Sequence, residues 1–170
     1  MGTERLRHVW RYASITALGG VLLSVQAIAD WRDDHGLLIN TSESLPNWAF
    51  FIRKNKAPHR GDYIVFDPPQ SPIVVAHFGA HTAAFTKIAY GIAGDVVSRV
   101  GGVVFVNSEP VGRLKPLTKL GERLAPGPTG VIPNGCYYVG TPHKDGFDSR
   151  YGDIGFICRD RIIGTGEAIL

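Results

Sequence analysis

The sequence predicts a mainly β protein: an antiparallel, partly closed, barrel-like domain behind one N-terminal transmembrane helix. Three observations predict it. After residue 36 the apolar residues come in short runs broken by Gly, Pro, Asn and Asp, the pattern of brief strands joined by turns. Turn formers are abundant, with 21 Gly and 11 Pro among 170 residues, which disfavours a helix bundle. Before residue 30, Tyr12 to Ala29 carries no charged side chain and approaches the length that crosses a bilayer.

The charge distribution agrees with this division. Of 18 basic and 15 acidic residues, Arg5, Arg7, Arg11 and Glu4 precede residue 30, which leaves 15 basic against 14 acidic in the remainder. The basic excess therefore sits in front of the apolar segment, with Asp30, Asp33 and Asp34 behind it. By the positive-inside rule this puts the N-terminus in the cytoplasm and the domain outside it. The near-neutral remainder gives no support to a nucleic-acid-binding patch. Residues 1–36 are read as cytoplasmic tip, transmembrane anchor and linker, and residues 37–170 as the folded domain. Ala27-Ile28-Ala29 also fits a cleavable signal peptide, so retained anchor and removed leader both stand at this point.

Along the domain, Trp48–Ile52, Tyr63–Phe66, a run starting at Ile73–Val75, Phe85–Ile92, Val96–Val97 and Val103–Val106 read as strands. Residues 112–130, rich in Gly, Pro, Lys and Arg, read as a long surface loop. Cys136–Val139, Ile154–Cys158 and Arg161–Ile163 complete the strands, and no segment after residue 35 carries a helical period. One of Trp48, Phe50 and Phe51 at least is expected in the core, and the others there or on an apolar lip near the membrane. Cys136 and Cys158 lack zinc-ligand spacing. Outside the cytoplasm they form either a disulfide or two buried thiols.

Two residues combine into chemistry. Ser44, in Thr41-Ser42-Glu43-Ser44-Leu45-Pro46, is a weak nucleophile unless a base takes its proton. Lys87 lies in Phe85-Thr86-Lys87-Ile88-Ala89-Tyr90, where strand alternation puts Phe85, Lys87 and Ala89 on one face. An apolar face disfavours the ammonium and so makes a lysine available as a base. Each residue also has a plain explanation: Ser44 as a turn residue beside Pro46, Lys87 as an edge-strand lysine that discourages aggregation. His77 and His81 have H-x-x-x-H spacing without the glutamate of a zinc-protease helix, and His143 with Cys136 fits no thiol-protease spacing. Gly101-Gly102 is not followed by the Gly-Lys-Ser/Thr of a phosphate loop.

Four segments in order resemble the signal peptidase I family, and within it the TraF-type conjugative transfer peptidases. Asn40-Thr41-Ser42-Glu43-Ser44-Leu45-Pro46 is similar to the nucleophile box of the TraF branch, with one residue between serine and proline where the classical branch has two. Thr86-Lys87-Ile88-Ala89-Tyr90-Gly91-Ile92-Ala93-Gly94-Asp95-Val96-Val97 is similar to the general-base box. Gly102–Val111 resembles the hairpin that follows it, and Phe147-Asp148-Ser149-Arg150-Tyr151-Gly152 the terminal box. The resemblance spans about residues 10–163. It implies a serine endopeptidase with Ser44 as nucleophile and Lys87 as base, and an oxyanion hole from the Ser44 backbone N–H and the Ser42 hydroxyl. Asp148 and Arg150 become supporting residues, whose plain alternative is a surface ion pair of little value.

The resemblance further implies the following. No cofactor is needed. The substrate is a preprotein, and in the TraF branch a conjugative prepilin, bound extended with small side chains in shallow pockets. The location is the inner (plasma) membrane, crossed once, with the catalytic domain in the periplasm and components of a conjugation or secretion apparatus as possible neighbours. The alternatives are a general signal peptidase I, or a non-catalytic anchored β-domain that binds a pilus or secretion component. A self-cleaving repressor would need a helix-turn-helix where the apolar segment stands. The chain departs from the family pattern at Trp48 (usually glycine) and in Tyr151-Gly152-Asp153-Ile154-Gly155. It departs also at Gly146, where many members have a serine that hydrogen-bonds the lysine.

Overall fold

The computed structural model describes residues 2–169. The side chains of residues 2–7, 9 and 11 lie outside that description, and with them Arg5, Arg7 and Arg11, on which the predicted orientation rests. The chain divides into two compact units, Met1–His35 and Gly36–Leu170.

The first unit is helix α1, Gly2–Asp34. Within it Tyr12–Asp34 has a mean hydropathy of 1.6 and none of its apolar window is buried. At 1.5 Å per residue, that stretch reaches about 34 Å, enough to cross a hydrocarbon core of about 30 Å. It is consistent with a single-pass membrane anchor. The helix runs without a break through Ala27-Ile28-Ala29.

The second unit is mainly antiparallel β. Its larger sheet has seven strands: β1 (His35–Ile39), β2 (Ala49–Arg53), β3 (Tyr63–Phe66), β4 (Phe85–Gly91), β9 (Cys136–Gly140), β10 (Ile157–Cys158) and β11 (Ile162–Ile169). They lie in the order β1-β2-β11-β3-β4-β9-β10, curled as a half-barrel. The smaller sheet, in the order β7-β6-β5-β8, contains β5 (Val96–Val100), β6 (Val103–Val106), β7 (Glu109–Arg113) and β8 (Gly130–Val131). Gly101-Gly102 and Asn107-Ser108, all with positive φ, make the two tight hairpin turns of this sheet.

Each sheet has its own core. Ile64, Phe66, Ala89, Tyr137, Val139 and Ile157 fill the concave side of the half-barrel. Val97, Val104, Val106, Ile132, Cys136 and Tyr138 form the second cluster. They meet at Gly91, where the β4–β9 register shifts. A Cβ there would stand 2.5 Å from Ile132 Cδ1 and 3.2 Å from Tyr138 Cβ, so only glycine lets the second cluster close over β4. Of the three aromatic residues before β3, Phe50 is fully buried, Phe51 is half-buried and Trp48 is exposed.

The structure corrects two expectations and bears out a third. The run at Ile73 is not a strand but helix α2, Pro72–Phe78. Ser71 caps it by accepting from Val74 N at 3.2 Å, and Pro72 opens its first turn, where a missing N–H costs nothing. The segment 112–130 is, between the end of β7 and the start of β8, the irregular and mostly exposed loop expected, tied to the terminal box by the Pro126–Tyr151 bridge. The strand expected at Ile154 begins only at Ile157, because residues 151–155 are taken up by a turn with Ile154 N and Gly155 N both on Tyr151 O.

Cys136 and Cys158 face each other across β9 and β10 and are joined as a disulfide, with 22 residues of sequence separation. Closing a loop of that size should contribute about 3 kcal/mol. Replacing both cysteines by serine, or reducing the protein, is therefore expected to lower the free energy of unfolding by about that amount, measured by chemical unfolding with and without reductant.

Candidate active site

The site begins with the position of Lys87 in the sheet. β4 is an interior strand between β3 and β9, so Lys87 is no edge lysine. Lys87 alternates with Ala89 and Gly91 as the buried face of β4, and Ile64 on β3 is its cross-strand partner. The amine is thus carried on the face that elsewhere builds the core, and only 6% of the residue is exposed. Phe85, two residues earlier, places its ring centroid 5.7 Å from Nζ. Burial pulls the Lys87 pKa from its ordinary value down to about 8; the charge of Asp148 opposes this and that of Arg150 adds to it. At pH 7 an amine with that pKa is about one-tenth neutral, against well under a thousandth for an ordinary lysine.

Ser44 meets Lys87 from a turn between β1 and β2. Nζ of Lys87 lies 3.2 Å from Ser44 Oγ, within hydrogen-bond reach. The turn is closed at its base by Asn40 N donating to Trp48 O at 2.7 Å, and Leu45 is buried beneath it. The Asn40 side chain staples it internally. Nδ2 donates to Leu45 O at 3.2 Å and Asn47 O at 2.7 Å, while Oδ1 accepts from Ser42 N at 3.0 Å and Ser42 Oγ at 2.9 Å. Two carbonyls on one side and an N–H on the other fix which end of the amide is oxygen. Tyr63 holds the turn to β3 through Asn47 Oδ1 at 3.0 Å.

Ser42 Oγ is 3.0 Å from Ser44 Oγ. Its proton is directed to Asn40, so Ser42 acts as a donor to any other oxygen only after that hydroxyl rotates. Asn40 is thus the residue that organises the turn, a role its place in the motif does not announce. The available signal was an Asn two residues before a serine in a Pro-containing turn, the setting of a side-chain-to-backbone bond.

Asp148 and Arg150 lie behind the lysine, and they are not a surface pair: they are 0% and 4% exposed. Asp148 Oδ1 accepts from Arg150 Nε and Oδ2 from Arg150 Nη2, both at 2.8 Å. Oδ2 also accepts from Thr141 N at 3.2 Å. Arg150 Nη2 donates onward to His143 O at 3.2 Å and Gly146 O at 3.0 Å. The pair thereby ties the 141–147 loop to the end of β9. Gly146 has no room for a side chain. A Cβ there would collide with Thr141 Oγ1 and Arg150 Nη2 and would lie 2.9 Å from Asp148 Oδ2. The space a serine would use is already occupied.

A cleft of about 690 Å³ opens beside the Ser44–Lys87 contact. Its walls include Ile73 and Phe78 from α2, Phe85 from β4, and Phe147; Leu117 and Leu124 contribute from the segment after β7. That segment is latched at both ends. His77 Nε2 on α2 meets Glu122 Oε2 at 2.5 Å, so this histidine is a hydrogen-bond partner in the cleft wall. Lys115 pairs with Asp145, and its backbone N donates to Tyr151 Oη at 3.2 Å. Sequence reading missed these lining residues because their turn-rich segment has no periodicity and its partners are distant in the chain. Among the described residues no group of three or more His, Cys, Asp or Glu is placed to hold a metal ion. Cys136, considered with His143, is consumed by the disulfide.

A search among curated proteins finds no match to the chain. The model of the family described as signal peptidase, peptidase S26, matches residues 8–170, which takes in the apolar helix, the Ser44 turn, β4 and the Asp148–Arg150 pair. With nearly its whole length matched, and a buried lysine beside a serine at the mouth of an apolar cleft, the chain belongs to the signal peptidase family, peptidase S26.

Proposed function

We propose that this protein is a membrane-anchored serine endopeptidase that removes the signal segment of an exported protein through a Ser44–Lys87 dyad. The observation that carries the reading is the 3.2 Å approach of Lys87 Nζ to Ser44 Oγ by an amine that burial brings down to about pKa 8. Neutral Lys87 takes the Ser44 proton as Oγ attacks the scissile carbonyl, then gives it to the leaving amine. The acyl-enzyme is opened by a water that Lys87 deprotonates in turn. The Ser44 backbone N–H, joined by the rotated Ser42 hydroxyl, stabilises the oxyanion. Asp148 and Arg150 neutralise each other and hold the loop beside the lysine. No step calls for a cofactor.

The substrate lies extended in the cleft, with backbone hydrogen bonds fixing its register. The single residue between Ser44 and Pro46 resembles the TraF branch and favours a conjugative prepilin as that substrate. Helix α1 spans the inner membrane once with the domain on the periplasmic side, as the basic residues before Tyr12 favour. The linker falls near residue 36 and the peptidase domain begins at 37.

Three outcomes follow from this reading. Ser44→Ala and Lys87→Ala should each lower cleavage by roughly 10³-fold or more, assayed with the full-length protein on a prepilin and on an ordinary preprotein. Wild-type activity in either variant would sink the dyad, and preference between the substrates separates the conjugative from the general role. The wild-type rate should rise with pH through about 8 along a one-proton limb, because only the neutral amine accepts the serine proton.

The third outcome concerns stability. Lys87 is less basic folded than unfolded, so between pH 8 and the ordinary lysine pKa the unfolded chain binds more protons and stability rises with pH. Below pH 8 the full cost of burying the ammonium is present. Lys87→Met should therefore be more stable than wild type by about 3 kcal/mol at pH 7, a gain that shrinks steadily above pH 8 in chemical denaturation.

A further inference from the structure

Thr141 lies one residue past β9, and its hydroxyl is an anomaly. The residue is 1% exposed, yet Oγ1 has no hydrogen-bond partner among the described residues. A buried hydroxyl without a partner is unfavourable, and a threonine kept under those terms calls for an explanation.

The sheet register supplies one. Ile88 is opposite Gly140 and Ala89 opposite Val139. The paired register ends at Gly140; carried one residue further, it would set Thr141 level with Lys87. Val139 faces the half-barrel core, so by strand alternation Thr141 faces the same side, the side on which Lys87 is buried. Residues directly opposite in an antiparallel pair have Cβ atoms about 5 Å apart, close enough for side chains to interact. The sheet neighbours of Lys87 on that face are then Ile64 on β3, Phe85 and Ala89 along β4, and Thr141. Thr141 alone among them is polar. Its backbone is fixed by Thr141 N donating to Asp148 Oδ2 at 3.2 Å, and the absent side chain of Gly146 leaves Oγ1 the space it fills.

We propose that Thr141 is a positioning residue for Lys87: its hydroxyl oxygen accepts an N–H of the neutral amine and turns the nitrogen lone pair toward Ser44 Oγ. A neutral amine has two N–H groups and one lone pair, and a buried one can present the wrong face to the serine. With one N–H held by Thr141, the lone pair is aimed at the proton it must take. The titratable groups around the amine are Asp148 and Arg150 behind it and Glu43, His77, Lys115, Lys119, His143 and Asp145 along the cleft; β3 contributes Ile64 opposite it. The inference rests on the Ser44–Lys87 reading.

The test is the pH dependence of kcat and KM for the full-length enzyme on its best-cleaved preprotein, in wild type, Lys87→Ala, Thr141→Val and Thr141→Ser. Thr141→Val is expected to lower the kcat plateau by about 10- to 100-fold with little change in KM. It should also move the acid limb of kcat to lower pH, because an accepting hydroxyl favours the ammonium more than the amine. Thr141→Ser should restore both. Wild-type plateau and limb in Thr141→Val overturn the inference. So does equal impairment of the valine and serine variants with the limb unmoved, which marks a packing role. If Thr141→Val does not accumulate, Thr141→Ala compared with Thr141→Ser decides by the same limb. An active Lys87→Ala overturns the dyad and this inference together, whereas an inactive Lys87→Ala beside an unaffected Thr141→Val overturns this inference alone.

Discussion

The site depends on one unfavourable placement: a lysine on the core face of an interior strand. Lys87 has Ile64 across the ladder and Phe85 and Ala89 along its own strand, and the same face continues into the main core of the half-barrel. On that side of the sheet the ammonium is largely cut off from bulk water, with only 6% of the residue exposed at the cleft. The amine therefore gives up basicity, which is the property the proposed dyad would draw on to take a proton from Ser44 near neutral pH. An edge strand or a solvent-facing position would have left Lys87 with the basicity of an ordinary lysine.

The rest of the domain keeps that placement from relaxing. A turn is a poor platform for a nucleophile, because its backbone is free to drift. Here one asparagine uses all its hydrogen-bonding capacity on the turn, two carbonyls on Nδ2 and two donors on Oδ1, and Leu45 is driven into the core below. On the opposite flank a buried carboxylate and guanidinium satisfy one another and the loop carbonyls of His143 and Gly146. Had either charge been left alone there, it would have set the lysine's ionisation by itself. As a pair they largely cancel, and desolvation remains the dominant influence on Lys87.

Much of this was legible in the sequence because it is local. The alternation Phe85–Lys87–Ala89 is a two-residue period, and it placed the lysine on an apolar face before any strand order was known. Turn chemistry at Asn107-Ser108 and the charge-free run from Tyr12 are equally local signals. The misses share a cause as well. Helix α2 is seven residues, too short to show a 3.6-residue period, and its only local marks are Ser71 and Pro72. The latch of Glu122 to His77 and of Lys115 to Asp145 joins residues tens of positions apart with no pattern between them. The burial of Asp148 and Arg150 was likewise invisible: the motif gives their identity, while only the closing of β9 onto the 141–147 loop takes them out of water.

Gly146 shows how the two kinds of information combine. From sequence it is a missing hydroxyl, a weakness in the environment of the base. In the fold it is a position from which any side chain is excluded, because Thr141, Arg150 and Asp148 already fill the volume. A serine there would have to displace a buried guanidinium that holds two carbonyls and a carboxylate. The cost falls on the same loop that keeps the lysine's flank in place. The glycine is therefore a consequence of the tight Asp148–Arg150 packing: the volume a side chain would need is already filled by Thr141, Arg150 and Asp148.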